Sequence, residues 1–279
     1  MRSFKHMNAK GKSSQLLDDC YLSIIFNTAT IDEQAKEKTD MEIMMETTTV
    51  EQFDKPGLVA ELIRGRRSKR KFLDRPVPLA VVRQILSVAK HAPSSSNTQP
   101  WRCYVLTGQA REKVTAAAVE AYRAGPETLA PQYPFFPKEL PVPFSSRFNA
   151  FRGMLGDAQG VHRSDLAGRR RDVERQFQFF GAPVGLIFTM DRRLEWASFI
   201  CYGCFLQNIM LAAHAQGLDT CPQQIWSLQS AVLRNVLGIP DGEMVVAGMS
   251  LGYADNTVPE NNMSLEKLEL HEFVSFVDR

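Results

Sequence analysis

Two stretches of the chain hold side chains dense enough to do chemistry. Between Arg64 and Lys71, six of eight residues are basic: Arg64, Arg66, Arg67, Lys69, Arg70 and Lys71, with Ser68 among them. Guanidinium groups offer planar, two-pronged donors to phosphate, and a serine hydroxyl adds another. The run suits an anion site; a solvated basic face or a targeting patch accounts for the same charge. The second stretch is Pro93, Ser94, Ser95, Ser96, Asn97, Thr98, Gln99 and Pro100, followed by Trp101. Prolines stiffen it and hydroxyls and amides fill it with donors and acceptors, in a connector as much as in a binding loop.

Other signatures are missing. The chain has no G-x-G-x-x-G, P-loop, G-x-S-x-G or H-E-x-x-H. His6, His91, His162, His214 and His271 are scattered without metal spacing. Cys201 and Cys204 form a lone C-x-x-C, and zinc would need a second pair. On an apolar helix face such a pair reads as core packing. Cys20, Cys103 and Cys221 bring the cysteines to five, which is no disulfide framework. No metal is expected.

In order along the chain, Arg-Arg-Ser-x-Arg-x-Phe (66–72) and Pro-Ser-Ser-x-Asn-x-Gln-Pro-Trp (93–101) resemble motifs of the FMN-dependent nitroreductase family. Gly217-Leu218-Asp219-Thr220-Cys221-Pro222-Gln223 is similar to the family's third motif. Gly248-x-x-x-Gly252-Tyr253 is similar to its last core strand, and Leu270-His271-Glu272-Phe273-Val274 to its closing segment. The resemblance spans roughly residues 57–279. It implies an α+β fold with a central, mostly antiparallel sheet flanked by helices, in an intertwined homodimer with FMN at the subunit interface. It also implies that Arg66, Arg67, Ser68 and Arg70 hold the phosphate and ribityl chain. Pro93, Ser94, Ser95, Asn97 and Gln99 would reach the cofactor from the other subunit. Pro222, Gln223 and Gln224 would lie along the flavin ring, with a backbone N–H near Gln224 facing N5. Many members close on the phosphate with a C-terminal basic pair. Here the matching stretch, Asn261 to Lys267, keeps only Lys267, and Ser264 stands at the first basic position.

The resemblance further implies a ping-pong NAD(P)H oxidoreductase acting on nitroaromatic or quinone-like planar acceptors. The flavin is then the reactive group, NAD(P)H a transient donor, and no side chain need be an acid or base. Two other readings remain. One is different chemistry on the same fold, such as reductive dehalogenation of an aromatic ring. The other is a non-enzymatic binder using the basic run.

The elements that must position these motifs read from periodicity. Leu58, Leu62 and Ile63 give a helical stripe ending near Gly65. Leu79, Val82, Ile85, Leu86 and Ala89 give a second, stopped by His91-Ala92-Pro93. Strands are expected over 101–106, 182–189 and 244–253, and helices over 109–123, 196–216 and 228–237. The stretch 124–180 is broken by prolines and rich in aromatics, which suits a lid. Tyr133, Phe135, Phe136 and Phe144 could stack on a planar acceptor there, and Arg147, Arg152 or Arg163 could pair with its carboxylate or phenolate. Packing of those rings against a partner subunit is the alternative.

The chain has 279 residues, 44% hydrophobic and 23% charged, which excludes a collagen, a disulfide mini-scaffold and a wholly disordered chain. Thirty-three basic and 31 acidic residues give +2, so overall charge makes no case for nucleic acid or an anionic membrane. Residues 1–53 differ from the rest. They carry six basic and nine acidic residues and no proline, and read as an extension, disordered or loosely docked. No secretory signal or membrane-spanning run is evident, and a cytoplasmic protein is expected.

Overall fold

The computed structural model describes residues 55–278 except Phe135, Phe136 and Lys138. The chain divides into Met1–Lys55 and Pro56–Arg279, and the second unit carries the fold. The expectation for residues 1–53 lies outside the described residues.

A four-stranded antiparallel sheet forms the centre, in the order β1-β2-β4-β3. Its strands are β1 (Arg102–Leu106), β2 (Val184–Asp191), β3 (Asp219–Gln223) and β4 (Glu243–Gly252). All ten residues of β4 and the first seven of β2 are buried. Strands covered on both faces need apolar side chains at every position, which explains their continuous hydrophobic runs. Alternation divides β2 between two cores. Val184, Leu186, Phe188 and Met190 face one, and Ile187 faces the other.

Helices close both cores. They are α1 (Lys55–Gly65), α2 (Leu79–Ala89), α3 (Gly108–Ala124), α4 (Phe144–Gln159), α5 (Leu166–Phe177), α6 (Trp196–Ala215) and α7 (Ser230–Leu237). Val82, Ile85 and Ala89 of α2 meet Phe205, Ile209 and Ala213 of α6 over one sheet face. Val114 and Ala118 of α3 and Leu233 of α7 cover the other. The α+β architecture expected from the sequence is present.

By length and composition α6 is the one described helix that could cross a membrane. Cys201, Tyr202, Phe205, Ile209 and Ala213 bury its inner face, as in a core helix. In α1, by contrast, no residue is buried, and Leu58, Val59 and Ile63 are exposed.

Two expectations change. The helix placed over 228–237 starts at Ser230, after a 3₁₀ segment over Gln224–Gln229. The lid expected over 124–180 does not keep its character to the end. Phe177, Phe179 and Phe180 are buried, and Phe179 stacks on Trp226 with ring centroids 4.5 Å apart. Gly248 of β4 makes room for that indole; a Cβ there would collide with Trp226. Aromatics just before a strand join the core because the sheet carries them there, a contact that local composition does not encode.

Candidate functional site

The basic run leaves the end of α1 as extended chain and lies against β3. Ser68 bridges Thr220 in parallel, and Lys69 N donates to Thr220 O at 3.1 Å. Phe72, 4% exposed, anchors the far end by pairing with Ala254. Residues some 150 positions apart are thereby brought together, with Arg66 and Arg70 acting on the Cys221 thiol.

Arg66 and Arg70 give this region positive charge beside the Cys221 thiol. Burial lowers the pKa of Arg66, and the neighbouring Arg67 lowers it further. A partly buried guanidinium beside a like charge gains from a bound anion. Burial pushes the Cys221 thiol up to about 11, although Arg70 and Arg66 pull the other way. The buried thiol is therefore a neutral packing group beneath the cations. Arg67 turns away: its Nη1 donates to the carbonyls of Arg64 and Arg66, capping the end of α1.

A second layer, which the sequence reading did not single out, fixes the run. Asn261, 3% exposed, accepts from Arg70 N at 2.6 Å through Oδ1 and donates to Lys71 O at 2.7 Å through Nδ2. Lys69 Nζ donates to Asn261 O at 2.7 Å and to Asn256 Oδ1 at 3.0 Å. Arg175 of α5 donates to Arg70 O at 2.6 Å and pairs with Glu260 at 2.9 Å. Lys267, expected at the phosphate, is exposed in the C-terminal arm and makes no hydrogen bond or ion pair among the described residues.

The Ser/Asn loop sits elsewhere. It forms a 3₁₀ turn over Ser95–Asn97, with Ser96, Asn97 and Gln99 at positive φ (48°, 57° and 46°). Ser94 Oγ accepts from Gln99 N at 3.0 Å, and Ser95 N donates to Cys201 Sγ at 3.4 Å. Pro93, Ser95, Asn97 and Gln99 are exposed. The loop therefore packs on the first part of α6. The end of α1 packs on the last part: a Cβ on Gly65 would lie 2.8 Å from His214 Nε2. From Cys201 to His214 the helix rises about 20 Å.

Residues 63–253 match the model of the nitroreductase family. The chain belongs to the nitroreductase family. It is 70% identical over 219 residues to a nitrobenzene nitroreductase of Ectopseudomonas oleovorans, covering 78% of this chain and 96% of that one. A chloronitrobenzene nitroreductase of Comamonas testosteroni is 69% identical over the same shares. Among solved structures, the FMN-dependent nitroreductase NfnB from Mycobacterium smegmatis in complex with NADPH is similar with a TM-score of 0.77. It is 30% identical and covers 81% of this chain and 100% of that one.

In this nitroreductase the end of β3 offers an outward ledge. Pro222 and Gln224 are exposed, whereas Gln223 is 3% exposed. The Gln223 amide is engaged inside, accepting from Ser250 Oγ at 2.7 Å and donating to Gln176 O at 2.6 Å. Its side chain holds α5 to the sheet, and only its backbone is left for the ledge.

Tyr133 also turns inward, against the expectation that it stacks on an acceptor. Its hydroxyl donates to Val246 O at 2.5 Å, and its ring meets Phe199 edge-on at 5.0 Å. Gln132 Oε1 accepts from Val245 N at 2.8 Å. Together they tie the lid's first half to β4. Phe144 is exposed under the Arg147 guanidinium, 5.2 Å from its ring centroid. The expectations for Phe135 and Phe136 lie outside the described residues. Cys201 and Cys204 are free and helical, and no group of potential metal ligands occurs among the described residues.

Proposed function

We propose that this nitroreductase is an FMN-dependent NAD(P)H oxidoreductase that reduces neutral nitroarenes such as nitrobenzene. The partly buried Arg66 beside Arg70 and the β3 ledge carries the reading. Arg66 and Ser68 bind the cofactor phosphate; Arg70, held through its backbone by Asn261 and Arg175, flanks the ribityl chain. Pro222 and Gln224 form a flat seat for the ring, and a backbone N–H near Gln224 directs a hydrogen bond to it. Bound FMN would supply the hydride-accepting and electron-donating chemistry between NAD(P)H and the nitro group, so the chain needs no acid or base of its own.

The site needs two copies. The Ser/Asn loop and the basic run lie on opposite parts of α6, about 20 Å apart along it. One cofactor served by both motifs takes the bed of basic residues from one protomer and the loop from another. The apolar face of α1 and the exposed Leu270, Phe273, Phe276 and Val277 of the C-terminal arm give the two copies surface to bury. The expected lodging of this homodimer is the cytoplasm.

A purified sample supplied with FMN should oxidise NADPH in step with added nitrobenzene. Oxidation that proceeds equally without any nitroarene or quinone would sink the assignment.

A further inference from the structure

Between α4 and α5 lies a cavity of about 310 Å³, at the lower end of the range for small-ligand sites. Its lining holds Arg152, Arg163 and Arg169. None of these guanidiniums has a carboxylate partner among the described residues. Two carboxylates share the lining. Asp172 is engaged, accepting from Gln159 Nε2 at 2.9 Å and lying 4.0 Å from Arg175; Asp157 is exposed. His162 completes the polar wall, its Nδ1 2.7 Å from Ser164 Oγ. All three arginines are exposed, and three cations around one hollow attract a multiply charged anion.

The hollow adjoins the cofactor bed. Asp172 lines it and also acts on the Cys221 thiol. One turn further along α5, Arg175 donates to Arg70 O and Gln176 O receives the Gln223 amide. A helix turn is about 5 Å, so the cavity opens within a dinucleotide's length of the ledge. Neutral nitroarenes carry no anion for it. The two possible donors differ by one: NADPH has a phosphate monoester on its adenosine ribose, and NADH has a hydroxyl.

We infer that the Arg152–Arg163–Arg169 cavity is the subsite for that ribose phosphate and makes NADPH the preferred donor. This rests on the proposed flavin function. Arginine suits the task because its fork matches phosphate oxygens in pairs.

The test compares kcat/KM for NADPH and NADH, with nitrobenzene as acceptor, in the wild-type holoenzyme and in Arg152→Ala, Arg163→Ala, Arg169→Ala and the triple variant. Calorimetry with adenosine 2′,5′-bisphosphate and with AMP gives a readout free of turnover. The wild type should favour NADPH by about tenfold to a hundredfold, given exposed charge-assisted bonds. The triple variant should bring the ratio near one by raising the KM for NADPH, with NADH parameters and flavin content unchanged. The bisphosphate should then bind no better than AMP. Equal use of the donors by the wild type overturns the inference, as does a preference that survives the triple variant. A drop in the KM of wild type for 4-nitrobenzoate relative to nitrobenzene, abolished in the variant with the donor ratio unmoved, would assign the cavity to a carboxylated acceptor instead. Should the triple variant not fold, the single variants must each lower the ratio for the inference to stand. Flavin content and NADH turnover report on the flavin function separately.

Discussion

Replacing Arg66 by alanine is expected to weaken FMN binding by about thirtyfold to a hundredfold. A hydrogen bond to a charged partner is worth about 1.5–3 kcal/mol, and a phosphate is the strongest acceptor this bed could receive. The effect should be large at this arginine because it is already partly desolvated. Burial is the leading cause of its lowered pKa, so part of the dehydration that an anion would require is already met in the fold. Arg67 provides the internal control. Its guanidinium is spent on the carbonyls of Arg64 and Arg66, and Arg67→Ala should cost about threefold or less. Quenching of flavin fluorescence, titrated with apoprotein, measures both. Equal losses in the two variants would mean that the phosphate is held by bulk charge rather than by Arg66.

The second large effect is a rescue. Arg66→Ala damages the bed, and Ser95→Trp obstructs the exposed loop. Each variant alone should be nearly inactive at limiting FMN. After the two are unfolded, mixed in equal amounts and refolded, half of the dimers are hybrids. Under the proposed two-fold dimer, which pairs the bed of each chain with the loop of the other, every hybrid joins one intact bed to one intact loop. Activity should return to about a quarter of wild type, one working site in half of the dimers. A site built within one chain gives no such rescue, since each chain of the hybrid then carries its own defect. The experiment thus reads out the 20 Å separation along α6 as recovered turnover.

The sequence disclosed the elements better than the connections between them. Periodicity located α2 and α6 because each buries one side against the sheet, and the unbroken apolar runs located β2 and β4 because both faces of those strands are covered. The Ser/Asn loop and basic run were legible as motifs, and the fold sets the run against β3. The clamp of Asn261, Glu260 and Arg175 was not legible. Asn261 stands 191 residues from the Arg70 amide it accepts from, and no spacing rule links an asparagine to so distant a backbone group. The loss of a basic residue at Ser264 was visible, but not that Asn261 and Arg175 hold the run through its backbone. Tyr133, Gln223 and Arg67 show a further limit: the hydrogen bonds their side chains make go to partners that only the folded chain supplies.

The central claim is that this chain holds a flavin that NADPH reduces and a nitroarene oxidises. An anaerobic absorbance titration of the gel-filtered protein, reconstituted with FMN, tests it most directly. Flavin bands should co-elute with the protein, bleach on addition of NADPH and return on addition of nitrobenzene. A protein that stays colourless after reconstitution, or a bound flavin that NADPH leaves oxidised, would contradict the claim.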